Sequence, residues 1–230
     1  MGKRDTKKIC LMAGFLAMIL LAGPHFPEMF KSAPALAKEE IWAQEEKGVV
    51  ALTFDDGPHP KYTPLLLDGL KKRGVKASFF VTRKNAEQYP ELIRRMDEEG
   101  HLIGNHTYSH LQLSGKNRER FREELVRTNK IIREITGKDV EFVRPPYGSW
   151  DKSFEADLNM FPVLWNVDPL DWSSRNAENV ARKVISAAGD GSVILMHDEY
   201  ASTVTAALKI VDELQKQGYR FVTVEELLFD

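Results

Sequence analysis

The sequence predicts a parallel α/β protein whose sheet curls into a barrel or a nearly closed variant of one. Three observations carry this. Seven short apolar runs, nearly all rich in β-branched or aromatic residues, recur from Val49 onward. Longer amphipathic segments of helical period separate them, the alternation expected of parallel strands joined by crossover helices. Polar residues suited to chemistry stand at the ends of five runs, and in a parallel sheet those ends share one side. A barrel gathers them around one centre. A doubly wound open sheet, which the alternation alone also fits, would spread them along a line.

In chain order, VVALTF (49–54) is the first strand and leads into Asp55 and Asp56. A helical pattern over 61–73 follows, stopped by Gly74. ASFFVT (77–82) is the second strand, with a helix over 85–99 closed by Gly100. HLIGN (101–105) is the third and runs into His106 and His110. The longest helix, 116–136, repeats Phe121, Leu125, Ile132 and Ile135 at helical spacing beneath a charged surface and ends at Gly137. EFVR (141–144) ends on Arg144, a helix covers 151–159, and FPVLWNV (161–167) precedes Asp168 and Asp171. After a helix over 176–188, SVILMH (192–197) ends on His197. A helix over 202–218, the strand RFVTV (220–224) and a short helix over 225–229 complete the pattern.

The N-terminus reads as an address. Lys3, Arg4, Lys7 and Lys8 precede an uncharged run from Ile9 to Gly23, the layout of a secretory signal, and Ala35-Leu36-Ala37 offers a small-x-small cleavage site. The alternative is an uncleaved membrane anchor, although this run is shorter than the roughly 20 residues a span prefers. Residues 1–37 are therefore assigned as signal peptide or anchor, 38–47 as a charged linker and 48–230 as the main folded domain, with its location outside the cell.

Composition narrows the class. The chain has 230 residues, 43% hydrophobic and 29% charged, which excludes disordered, collagen-like and coiled-coil proteins. A formal charge of -2 gives no electrostatic reason to expect nucleic-acid binding. The single cysteine, Cys10, excludes a disulfide framework or cysteine-rich zinc site within the chain.

The strand ends carry the chemistry. Asp55 and Asp56 are adjacent carboxylates that leave a strand in different directions, so one can meet a metal and the other a substrate. Read alone, the same residues also suit a plain Asp-Gly-Pro turn. His106 and His110, spaced i and i+4, share one face of a helical turn and can grip one ion. Two His and one Asp form the three-ligand set of a catalytic zinc site. The prolines after Arg144 fix the backbone so that an N–H near Tyr147 can face a developing oxyanion, although read alone this motif is better taken as a structural loop. His197 shares its strand-end face with an acidic residue able to orient and charge it, as a general acid requires. Trp172 suits stacking on a sugar ring. His25, His59 and His101 read as bland residues of the leader, a turn and a strand.

TFDDGP, HTYSH, RPPYG, DPLDW and LMH, in this order, resemble the five motifs of the polysaccharide deacetylase family, over about residues 48–230. The resemblance implies a distorted (β/α) barrel with about seven parallel strands. It implies Asp55 as general base, Asp56, His106 and His110 as ligands of one divalent metal ion, and His197 as general acid. Arg144 then holds Asp55 ionised, the Tyr147 N–H meets the oxyanion, and Asp171 tunes His197. Trp172 forms the groove wall and Leu195 the pocket for the acetyl methyl. The metal expected is Zn2+, with Co2+, Mn2+ or Ni2+ as alternatives. The implied activity removes N-acetyl groups from N-acetylglucosamine residues of an extracellular polysaccharide, with peptidoglycan preferred because export and a bare domain suit the cell's own wall. Chitin or chitooligosaccharide is the alternative substrate, and a catalytically silent cell-surface glycan-binding module is the rival of another class. The oligomeric state is not legible in the sequence.

Overall fold

A computed structural model describes residues 46–229. The expected signal or anchor, most of the linker and His25 lie outside the described residues.

The strands are β1 (Gly48–Asp55), β2 (Ser78–Val81), β3 (Leu102–Asn105), β4 (Phe142–Val143), β5 (Phe161–Pro162), β6 (Ser192–His197) and β7 (Tyr219–Val222). All seven pair in parallel, in the order β5-β4-β3-β2-β1-β6. One edge of β1 is shared in succession: β7 pairs with Gly48–Ala51 and β2 with Thr53–Asp55, while β6 takes the other edge. The two ends of the sheet then meet. Asn166 and Val167 donate their N–H groups to the Val193 carbonyl at 3.1 and 3.2 Å, and Leu195 donates to the Val167 carbonyl at 2.9 Å. The expected barrel is thus present and distorted, closed by a bridge and not by a full ladder.

The helices are α1 (Tyr62–Lys72), α2 (Arg83–Gln88), α3 (Pro90–Glu98), α4 (Arg118–Thr136), α5 (Ser153–Leu158), α6 (Asp171–Ser174), α7 (Ala177–Ala187), α8 (Ala201–Lys216) and α9 (Val224–Phe229). Several ends follow from local chemistry. The Asn176 side chain accepts from the Asn179 N–H at 3.0 Å at the start of α7. Thr223 and Glu226 form a reciprocal capping box: the Thr223 N–H donates to Glu226 Oε2 at 2.6 Å and the Glu226 N–H to Thr223 Oγ1 at 3.3 Å.

Four expectations change. His106 and His110 do not share a helical turn, because Thr107 and His110 have positive φ and the segment is a loop. The helix over 85–99 is two, because Pro90 cannot continue α2 and instead occupies the first turn of α3. The strand over 161–167 keeps only Phe161–Pro162 beside β4, since the chain must leave β4 to reach β6. Helix α6 was not expected, being a single turn too short to show a period.

Strand alternation then divides the core. Val50, Leu52 and Phe54 face the main cluster with the helices, whereas Ala51, Phe80, Phe142, Val163 and Val224 form a smaller one. Thr53 and Asp55 share the Ala51 face of β1, so the last inward position of the strand is a carboxylate.

Candidate active site

Asp55 is 3% exposed and sits beside a fully buried cation. Arg144 Nη1 donates to Asp55 Oδ1 at 2.9 Å and to Thr53 Oγ1 at 2.5 Å, and Nε donates to the Val163 carbonyl at 3.1 Å. The guanidinium also lies over the Phe80 ring, 4.3 Å from its centroid. Burial pushes the Asp55 carboxyl above the ordinary carboxylate range, and the Arg144 charge pulls against that rise. The result is a carboxylate more basic than one in water and held in a fixed direction.

Asp56 leaves the strand with a left-handed backbone, φ of 72°, and both its carboxylate and that of Asp55 approach His106 Nε2, at 3.5 and 3.8 Å. That backbone conformation is costly for a residue with a Cβ and persists only where the surroundings fix it. Here the Asp56 carbonyl accepts from Asn85 Nδ2 at 2.7 Å and from Thr82 Oγ1 at 3.2 Å. Thr107, His110, Tyr147 and Leu170, all on loops at this end of the barrel, also have positive φ, between 57° and 64°. The local conformational cost is concentrated around the site.

Asp56 Oδ1 lies 3.5 Å from His106 Nε2 and 3.7 Å from His110 Nε2. One donor atom from each of the three residues falls within 4.8 Å of the others. His106 Nδ1 donates to the Arg144 carbonyl at 2.6 Å, which leaves the Nε2 lone pair toward Asp56. Burial lowers His106 to about 3, so its imidazole is neutral and able to ligate. A mixed N/O donor set of this kind fits a divalent transition ion such as Zn2+.

On the neighbouring strand, His197 stands in register with Asp55. Its Nδ1–H donates to Asp171 Oδ1 at 2.9 Å, and its backbone N–H to Asp171 Oδ2 at 2.9 Å. Burial disfavours the imidazolium, but the hydrogen bond and charge of Asp171 outweigh it and push His197 up to about 9. At neutral pH His197 is therefore charged. One buried carboxylate of raised pKa and one imidazolium of raised pKa face the same space, the pairing that acid–base catalysis needs.

Asp55, Asp56, His106, His110 and His197 line a cleft of about 450 Å3 whose walls include Tyr147, Trp165, Trp172 and Leu195. Trp172 is 51% exposed, so it is a wall and not core, while Leu195 is buried. The Tyr147 N–H donates to no acceptor among the described residues, and its ring lies 4.9 Å from that of His110. All ten residues expected at the site lie at this end of the barrel. Asp168 lies there too but serves its own turn, accepting from the Leu170 N–H at 2.8 Å. His101 is buried with Nδ1 accepting from the Ala77 N–H at 3.1 Å, and His59 accepts from turn N–H groups, as their bland readings expected.

Some supports were not anticipated. Asn105 Oδ1 accepts from the Thr107 N–H at 2.7 Å, Glu124 accepts from the Ser109 N–H and hydroxyl at 3.1 and 2.8 Å, and Thr203 donates to Asp171 Oδ2 at 2.7 Å. Glu124 had a signal: it falls on the helical stripe of Phe121, Leu125 and Thr128, where a carboxylate is out of place unless satisfied. Asn105 and Thr203 had none.

The chain is similar to known proteins in sequence and in fold. The sequence profile described as polysaccharide deacetylase matches residues 43–163. A Bacillus cereus peptidoglycan-N-acetylglucosamine deacetylase is 39% identical over 188 residues, covering 79% of this chain and 68% of that protein. The Bacillus subtilis peptidoglycan-N-acetylmuramic acid deacetylase PdaC is 42% identical over 193 residues, which is 84% of this chain but only 41% of PdaC. The solved structure of PdaC superposes with a TM-score of 0.74 at 42% identity, covering 79% of this chain and 90% of that one. The chain belongs to the polysaccharide deacetylase family.

Proposed function

We propose that this protein hydrolyses N-acetyl groups from the N-acetylglucosamine residues of peptidoglycan, outside the cell. The observation that carries the reading is that Asp55 and His197, in register on paired strands and held by Arg144 and Asp171, stand beside the Asp56–His106–His110 donors. The names of the two peptidoglycan relatives support the substrate class. Export, by a cleaved signal or a retained anchor, rests on the basic and apolar pattern of residues 3–23.

Asp56, His106 and His110 would hold the ion. When bound, a divalent ion (Zn2+, or Co2+, Mn2+ or Ni2+) polarises the amide carbonyl and makes a coordinated water more acidic. Asp55 accepts a proton from the attacking water, and Arg144 keeps it ionised and aimed. The Tyr147 N–H donates to the oxyanion as the carbonyl carbon becomes tetrahedral, a contribution of roughly 3–4 kcal/mol for one such donor. His197 gives its Nε2 proton to the nitrogen as the carbon–nitrogen bond breaks, so the sugar leaves as an amine and the acyl group as acetate. Asp171 holds the imidazole by Nδ1 throughout. Trp172 offers a face to the sugar, and Leu195 receives the acetyl methyl. A silent glycan-binding module would have no use for a charged His197 opposite a buried Asp55.

The test is acetate release and mass spectrometry of muramidase-digested wall glycans after treatment with the protein. Loss of acetyl from glucosamine is the expected result. Loss from muramic acid or from chitooligosaccharides alone moves the substrate, and no acetate from any acetylated glycan overturns the reading.

A further inference from the structure

Asp198 follows His197 directly and is withdrawn completely from solvent, yet it has no part in the chemistry above. Its Oδ2 accepts a hydrogen bond from the Thr63 hydroxyl, and its Oδ1 has no partner among the described residues. Thr63 is itself fully buried, and its hydroxyl accepts from the His59 N–H at 2.7 Å. That hydroxyl therefore spends its one proton on Asp198 and a lone pair on the loop that follows Asp56. The carboxyl also lies flush against this loop. A methyl group on Gly57 would stand 2.2 Å from Asp198 Oδ1 and 2.5 Å from Oδ2. Gly57 does not have a left-handed φ, so it is the approach of Asp198 that requires glycine there. A carboxyl buried with one oxygen unpaired is costly, and an apolar side chain could occupy similar space without that cost.

We infer that Asp198 is a positioning residue whose carboxyl, wedged between Gly57 and Thr63, fixes the Asp55–Asp56 turn against the strand that carries His197. β1 and β6 already place Asp55 and His197 in register, but Asp56 lies beyond the ladder in a strained conformation. The Asp198–Thr63–His59 chain holds that departing loop from behind. The inference rests on the deacetylase reading for its kinetic consequence, because acid, base and metal ligand must keep their spacing for turnover.

The experiment compares Asp198→Ala, Asp198→Asn, Gly57→Ala and the double variant Gly57→Ala with Asp198→Ala. The readouts are acetate release, Co2+ affinity from competition with a chromophoric chelator, and thermal unfolding. Misplacement of about an ångström can cost about a hundredfold, so Asp198→Ala is expected to lower kcat at least about tenfold with KM within about twofold. Its Co2+ affinity should fall at least about fivefold while unfolding stays cooperative. Asn retains the shape and an acceptor for Thr63 and should stay within about threefold of wild type. Gly57→Ala should reproduce the Asp198→Ala defect from the other side of the contact and reads it even if Asp198→Ala does not fold. In the double variant the methyl enters the vacated space, so kcat should recover at least about threefold over Gly57→Ala alone. Wild-type kcat and Co2+ affinity in a folded Asp198→Ala or Gly57→Ala variant overturn the inference, as does an Asn variant as impaired as Ala. If the wild-type protein releases no acetate, the deacetylase reading fails, and Co2+ affinity in the same variants still decides whether Asp198 positions the loop.

Discussion

Asp55 and Arg144, 89 residues apart in sequence, meet at 2.9 Å with both side chains almost wholly removed from water. Neither can be removed alone without leaving the other charged and buried. Breaking such a pair typically costs about 3–5 kcal/mol. Arg144→Met should therefore lower the free energy of unfolding in urea by about that amount. The Asp55→Asn and Arg144→Met double variant should lose less than the sum of the singles. A loss below about 1 kcal/mol for Arg144→Met would mean that the pair is not held as described.

Asp55→Asn should separate chemistry from metal binding. The carboxamide cannot accept a proton from water, so turnover should fall by about 10^2–10^4-fold. Metal affinity should be retained, because Asp56 and not Asp55 belongs to the donor set. Full activity in this variant, measured as acetate release, removes Asp55 as the base.

The pH dependence follows from His197. With its pKa near 9, kcat/KM should fall on the alkaline side around that pH as the acid is lost. Asp171→Asn removes the group that outweighs burial, so the alkaline limb should move down by more than one pH unit. A limb that stays in place disproves the coupling. The stability contribution has the same sign: a folded-state pKa raised from 6.5 to about 9 gives stabilisation that is complete below pH 6.5 and lost as pH rises through 9.

Metal binding should be visible without any substrate. A ligand that binds only the folded state stabilises it by about 2.7 kcal/mol at a concentration of 100 times Kd. Added Zn2+ should therefore raise the Tm of the wild-type protein, and His106→Ala should abolish the rise. Chelation should likewise stop acetate release, with restoration by a divalent ion. An unchanged Tm with Zn2+, or full activity in excess chelator, would falsify the Asp56–His106–His110 assignment.

Much of this was legible in the sequence because the chemistry sits where a period ends. VVALTF followed by Asp55-Asp56, and SVILMH ending on His197, announce both the strand and a polar group at its end, since apolar runs end where the chain reaches water and ligand. Glu124 was legible in principle, as a carboxylate on an apolar stripe. Asn105, Thr203 and Asp198 were not, because polar residues beside a strand end or on a helix turn look the same whether they face solvent or a buried loop.

The order of the strands, the strand-end carboxylates, imidazoles and guanidinium available for chemistry, and the side of the sheet they share were determined by the sequence itself, through periodicity and side-chain chemistry, whereas the division into base, acid and ligands came from the motif resemblance. Only the tertiary structure decided how the barrel closes, through Val167 and Ile194, and which nitrogen of His106 is free. It also decided the balance of burial against charge that raises Asp55 and His197 together. The reason is physical: pKa, tautomer and closure depend on distances between groups from different strands, and only packing sets those distances.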